Sequence, residues 1–245
     1  MKYTQLIFLL ILSTKLFAQD VKTTKPFIEA ETSAGHIFQT NDFVKGENAS
    51  NKIIDFYSSV DLRFGWQTLG TKAWHQELNF PYYGVGINSY YFEHEKEIGY
   101  PNAVYLFLGA PFKRVDNHSF NYEFSFGLSY DWRPYDSLSN PYNISIGSKY
   151  NAYIDLRFFY AGRLHKRLNY AAGIRMNHFS NGATSFPNKG LNMIAPFINF
   201  RYNFRNDPIR VNEGTNNDYL YDKEFNFLIS YGRRSVKRTN PINSE

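Results

Sequence analysis

FNYEFSFGLSYDW, residues 120–132, alternates along its whole length. Phe120, Tyr122, Phe124, Phe126, Leu128, Tyr130 and Trp132 fall on one side of an extended chain, with Asn121, Glu123, Ser125, Gly127, Ser129 and Asp131 on the other. Successive side chains leave a strand on opposite sides, so a period of two marks a strand held between two different surroundings. Segment 54–66 repeats the pattern, with Ile54, Phe56, Val60, Leu62, Phe64 and Trp66 opposing Asp55, Tyr57, Ser59, Asp61 and Arg63. In 150–161, Tyr150, Ala152, Ile154, Leu156, Phe158 and Tyr160 oppose Asn151, Asp155 and Arg157. Strands are also expected at 27–37, 82–92, 103–112, 168–180 and 192–204, and no stretch shows a helical period.

These strands reach the ~9–11 residues that a tilted membrane strand needs. Their polar faces carry Glu29, Glu31, Asp55, Asp61, Glu123, Asp131 and Asp155 with Arg63, Arg157, Arg175 and Arg201. Such charges cannot line a sandwich core unpaired, whereas inside a narrow barrel they can pair with one another. A soluble, lipocalin-like barrel would turn the apolar faces inward, but Phe-rich faces on nearly every strand overfill so small an interior. The fold expected is all-β: an eight-stranded antiparallel transmembrane barrel over 19–205, with an extra C-terminal segment. With both termini periplasmic, the outer loops fall at 38–52, 93–102, 133–147 and 181–191, and the inner turns at 67–81, 113–119 and 162–167. Residues 206–245 read as a polar linker plus one extra strand (Phe225, Phe227, Ile229, Tyr231), or as the start of a truncated extension.

Composition agrees and excludes other classes. Twenty Tyr, 23 Phe and 3 Trp argue against a disordered chain, and the absence of Cys removes disulfides, thiolate catalysis and Cys-based metal sites. No apolar run approaches the ~18 residues of a membrane helix. Lys2, the apolar run Leu6–Leu12 and Leu16-Phe17-Ala18 give residues 1–18 the pattern of a secretory signal rather than of an N-terminal core helix. Two of the +5 formal charges (Lys2 and Lys15) leave with it, giving +3, too slight to imply nucleic acid. No cofactor or metal is expected.

Of six His, five (His36, His75, His94, His118 and His165) read as surface or loop residues. His178 differs by parity. On 168–180, Leu168, Tyr170, Ala172, Ile174 and Met176 face lipid, and continuing the period puts His178 and Ser180 on the same side. Asn192 shares the outward parity with Ile194, Ile198, Phe200 and Tyr202. Polar groups on a lipid face are costly unless satisfied, so this trio is either a functional site or an interface cluster at the rim. Side chains at i and i+2 lie about 7 Å apart, within a rotamer's reach of a shared proton, the arrangement by which His activates Ser for acyl transfer. Asn192 on the neighbouring strand could fix the imidazole tautomer.

The run His178-Phe179-Ser180-Asn181-Gly182, followed by Pro187-Asn188-Lys189-Gly190-Leu191-Asn192, resembles the lipid A 3-O-deacylases of the PagL type, within the acyloxyacyl-hydrolase-like outer-membrane barrels. The close match spans about fifteen residues, and the strand pattern extends it over 27–204. The resemblance implies a serine esterase that removes an ester-linked acyl chain from lipid A of lipopolysaccharide, from an outer-membrane barrel with its active site at the outer leaflet. Ser180 then resembles the nucleophile and His178 the base, amides near Asn181 and Gly182 the oxyanion region, and Asn188 the loop's Asn. Where the family places a Glu to orient the His, this chain has Asn192, which accepts a hydrogen bond but carries no charge; Glu47 or Asp136 are other acids in the outer loops. The alternative is a non-catalytic structural or adhesive barrel that keeps the motif.

Overall fold

The computed structural model describes residues 23–209; the expected signal segment and the extra strand at 225–231 lie outside the described residues. Within that range eight antiparallel strands close in chain order: β1 Thr24–Ile37, β2 Phe56–Thr68, β3 Tyr82–Phe92, β4 Gly99–Val115, β5 His118–Trp132, β6 Asn151–Arg163, β7 Leu168–Ser180 and β8 Leu191–Asn203. β1 seals against β8, with Phe27 opposite Asn203 and His36 opposite Ile194. The expected class is the one found.

Several expectations need correction. β4 starts at Gly99 rather than 103, so the loop before it is shorter than expected and contains the one-turn helix α2, Glu95–Ile98. The long turn between β2 and β3 likewise holds a helix, α1, Ala73–Glu77. One turn is too short to show a helical period in sequence. The β4–β5 turn shrinks from the expected 113–119 to Asp116-Asn117, with Asp116 left-handed at φ +48°, as a two-residue hairpin favours. Two carboxylates assigned to the lumen are outside it. Asp55 is exposed and Ile54 buried, because both precede β2. Asp131, at φ +64°, turns outward and sends Trp132 inward, so the alternation of 120–132 slips at its last two residues. His75 is not a surface residue either: it is buried in the β2–β3 turn, where Nδ1 accepts the Gly70 N–H at 3.2 Å.

The polarity of the barrel is inverted relative to a soluble protein. Outside stand Val60, Leu62, Leu106, Phe124, Phe126, Leu128, Ile174 and Phe200, all exposed. Inside, Arg157 meets Asp155 at 2.6 Å, Glu31 at 2.8 Å and Asp61 at 2.9 Å, and Arg175 meets Glu31 and Asp155 at 2.9 Å each. Toward the turn end, Arg63 joins Glu29 and Glu123, and Arg201 joins Glu29. An apolar wall around a charged interior is stable only with lipid outside, since water would reverse it. Among the described residues no helix is long and apolar enough to cross a membrane; strands make this wall.

Above the ion pairs, at the end carrying the β1–β2, β3–β4, β5–β6 and β7–β8 loops, the lumen becomes aromatic. Tyr57, Tyr90, Phe92, Trp132, Tyr153 and Phe179 pack together there. The loops fold over this plug through side-chain amides. Asn140 and Asn143 both donate to the Glu97 carbonyl, at 2.9 and 3.0 Å, and Asn48 donates to the Phe43 carbonyl at 2.9 Å.

Candidate active site

His178 and Ser180 end β7, and the residue between them explains their aim. Phe179 is fully buried, with its ring 4.8 Å from Trp132, 5.1 Å from Tyr90 and 5.5 Å from Tyr153. Pinning Phe179 in the plug forces its two neighbours through the opposite face of the sheet, onto the outer wall. β8 pairs in register, His178 opposite Asn192, so all three polar side chains meet on that wall. His178 Nδ1 lies 2.8 Å from Asn192 Oδ1, and His178 Nε2 lies 3.0 Å from Ser180 Oγ. With Oδ1 toward the ring, the fitting tautomer carries its proton on Nδ1 and donates it to Asn192. Nε2 is left to accept from the serine hydroxyl. All three residues are half-buried.

Both ring nitrogens are thereby occupied, and no outer-loop acid shares them. Asp136 is spent on its own turn, accepting the amides of Ser139 at 2.8 Å and Leu138 at 3.0 Å and the Ser139 hydroxyl at 3.0 Å. Those bonds hold its carboxyl below the ordinary range. Glu47 is exposed in the β1–β2 loop.

The β7–β8 loop builds the rest of the site. The Asn181 N–H donates to Asn188 Oδ1 at 3.2 Å, so Asn188 holds the loop and the Asn181 amide is already used. Gly182, at φ +64°, has open space where a Cβ would project, and its amide has no acceptor among the described residues. Gly190, quoted from sequence only within the matching run and given no role there, is a tight point of the loop. At φ +71°, an added Cβ would lie 3.0 Å from the Phe179 carbonyl oxygen and 3.2 Å from His178 Cε1. Neighbouring loops fix it, since its N–H donates to the Ser145 carbonyl at 2.9 Å and its carbonyl accepts from Asn41 Nδ2 at 3.3 Å. The signals were a lone Gly just before a strand and a Phe at an inward position where β7 otherwise carries Asn169, Arg175 and Asn177.

Beside the trio the outer wall is grooved. β1 and β8 pair at Ser33–Phe197 and at His36–Ile194 but not between, because Pro196 has no N–H to give. Gly35 lies against the Ile194 carbonyl and Ala195 there. The result is an apolar groove of about 490 Å³ lined by His36, Phe56, Ile174, Ile194 and Pro196, one outward position from Asn192 on β8.

A hydroxyl, an imidazole and an amide oxygen in relay beside an apolar groove define the class: a serine-hydrolase-like constellation on the outside of a membrane β-barrel. A model of the family described as Lipid A 3-O-deacylase (PagL) matches residues 57–203, more than half of the chain, and the chain belongs to that family. Among solved structures it is similar to the crystal structure of the outer membrane enzyme PagL, at 14% identity and a TM-score of 0.49, covering 70% of this chain and 97% of that one. It is also similar to Neisserial surface protein A (NspA), at 8% identity and a TM-score of 0.47, covering 75% of this chain and 100% of that one. No curated protein matches it by sequence.

Proposed function

We propose that this chain is an outer-membrane serine esterase that removes an ester-linked acyl chain from lipid A, with its site at the outer leaflet. The observation that carries the reading is the relay itself, Ser180 Oγ to His178 Nε2 at 3.0 Å and His178 Nδ1 to Asn192 Oδ1 at 2.8 Å, on the wall where a lipid ester would lie. His178 takes the Ser180 proton as Oγ attacks the ester carbonyl. The Gly182 N–H is the available donor for the oxyanion, and Asn188 steadies the loop by occupying the Asn181 amide. Collapse of the tetrahedral intermediate breaks the ester C–O bond, and His178 returns the proton to the departing sugar hydroxyl. Water, deprotonated by the same imidazole, then releases the fatty acid and restores Ser180. The groove along Ile174, Ile194 and Pro196 accommodates the acyl chain.

Mass spectrometry of lipid A from cells with and without the protein tests this. The expected product has lost one acyl chain, and Ser180→Ala abolishes the loss while leaving a heat-modifiable barrel. Unchanged lipid A with the native chain present would sink the reading. The neutral Asn192 favours a second one, a structural or adhesive barrel that keeps the motif without turnover; Asn192→Glu separates the two, because a large gain would mean the natural relay is impaired.

A further inference from the structure

A second polar patch interrupts the apolar wall on the far side of the barrel, where β4 lies four strands from β8 in either direction. Ser89, Asn102 and Asp131 all point outward and are linked. Ser89 Oγ donates to Asn102 Oδ1 at 2.6 Å, and Asn102 Nδ2 donates to Asp131 Oδ2 at 3.2 Å. Regular alternation would have sent Asp131 into the lumen. It faces out because β4 spends Tyr100 and Pro101 where β5 spends only Asp131, a bulge between the Gly99–Trp132 and Asn102–Tyr130 pairs. Gly99 at φ +89° and Asp131 at φ +64° are the left-handed residues that make the bulge, and a Cβ on Gly99 would strike the Asp131 carbonyl. The bulge opens a groove of about 530 Å³ between α2 and β5, lined by two cations, Lys96 and Arg133, and two carboxylates, Glu95 and Asp131. Tyr91 and Tyr100 stack on its rim at 6.5 Å, and exposed Val104, Leu106 and Leu128 continue the wall toward mid-barrel.

We propose that this groove binds the phosphorylated sugar headgroup of a second, unreacted lipopolysaccharide molecule. Lys96 and Arg133 match its phosphates, Glu95, Asp131 and Asn102 its hydroxyl and amide protons, the tyrosine pair the apolar face of a sugar ring, and the leucine-rich wall its acyl chains. A zwitterionic phospholipid headgroup offers a single phosphate for the two cations and no sugar ring for the tyrosine pair. The assignment rests on the outer-leaflet orientation proposed above, but not on catalysis, since no residue of the Ser180 relay takes part.

The test is photocrosslinking in intact cells with Tyr100→p-benzoylphenylalanine, an aromatic exchanged for an aromatic. The expected result is a lipopolysaccharide adduct that falls about tenfold when Lys96→Glu and Arg133→Glu are added, while lipid A deacylation by the charge-reversed barrel is unchanged. Heat-modifiable migration shows that the variant is folded, and the milder Lys96→Gln with Arg133→Gln serves if it is not. An adduct of equal strength in the charge-altered barrel, or one made only with phospholipid, overturns the proposal. A charge-dependent adduct from a barrel that deacylates nothing would retain the groove and discard the esterase. Deacylation without a charge-dependent adduct would do the reverse.

Discussion

The lumen and the outer wall of this barrel both hold polar clusters, and they are built on opposite terms. In the lumen Arg157 is fully buried yet touches Asp155, Glu31 and Asp61, so its charge is met by three others. On the wall the relay of His178, Ser180 and Asn192 is built from an imidazole, a hydroxyl and an amide and is only half-buried. Charge is used where a ring of strands supplies counter-charge, whereas the relay, with lipid on one side, is hydrogen-bonded without a carboxylate. On the proposed reading the lumen holds a shape and the wall moves a proton. Substitutions in the two regions should therefore fail in different assays.

The largest effect should come from the wall. Ser180→Ala removes the proposed nucleophile, and deacylation followed by mass spectrometry should fall on the order of a thousandfold or more. Its urea or thermal unfolding midpoint should barely change. The lumen should show the mirror image. Arg157→Met leaves Glu31, Asp61 and Asp155 with one cation fewer in a sealed interior, and should cost about 3–5 kcal/mol of unfolding free energy. Activity per folded molecule should stay near that of the native chain. If Arg157→Met abolishes deacylation while leaving stability intact, lumen and wall do not divide these tasks.

Gly190→Ala tests the seam between the two regions. A methyl group there meets the Phe179 carbonyl at 3.0 Å and His178 Cε1 at 3.2 Å in a left-handed backbone, so it presses on both the plug and the imidazole. The expected cost is about 1–2 kcal/mol of stability together with a fall in kcat of roughly tenfold, with KM nearly unchanged. A stability loss without the kcat loss would mean that His178 tolerates the displacement.

How much of this was legible in sequence follows from what alternation can and cannot carry. Parity along 168–180 and 192–204 put His178, Ser180 and Asn192 on the outer wall, and the structure brings those three within hydrogen-bond distance. Parity also placed Glu29, Glu31, Asp61, Glu123 and Asp155 with Arg63, Arg157, Arg175 and Arg201 inside. It failed wherever the backbone left the regular pleat. Asp131 needed a left-handed residue and a bulge on the partner strand, and a single-strand pattern contains no information about its neighbour's register. The loop contributions of Asn41, Ser145 and Gly190 depend on contacts between separate loops, 149 residues apart for Asn41 and Gly190, beyond the reach of any local pattern. The Asn181 amide, expected near the oxyanion, turned out to be occupied by Asn188, a detail only coordinates supply.

The smallest expected effect is also the most informative about the wall's neutrality. Asn192→Asp keeps the size and reach of the side chain and adds one negative charge 2.8 Å from His178 Nδ1. Two terms compete. A carboxylate stabilises the imidazolium that forms as Ser180 gives up its proton, through a charge-assisted hydrogen bond roughly twice as strong as the neutral one. The same carboxylate is half-buried on an apolar wall, where its desolvation is unfavourable in the resting enzyme. Because the imidazolium exists only during turnover, the first term acts on the barrier and the second mainly on the folded ground state. The expected outcome is therefore a gain in kcat of about threefold to tenfold with a small loss of stability, read by deacylation rates and unfolding midpoints on the same preparation. A gain of a thousandfold or more would mean that Asn192 had been presenting its amide rather than its oxygen and holding the wrong tautomer, as Asp→Asn does in serine proteases. No gain at all would mean that water at the headgroup level already supplies the stabilisation that the missing charge would add.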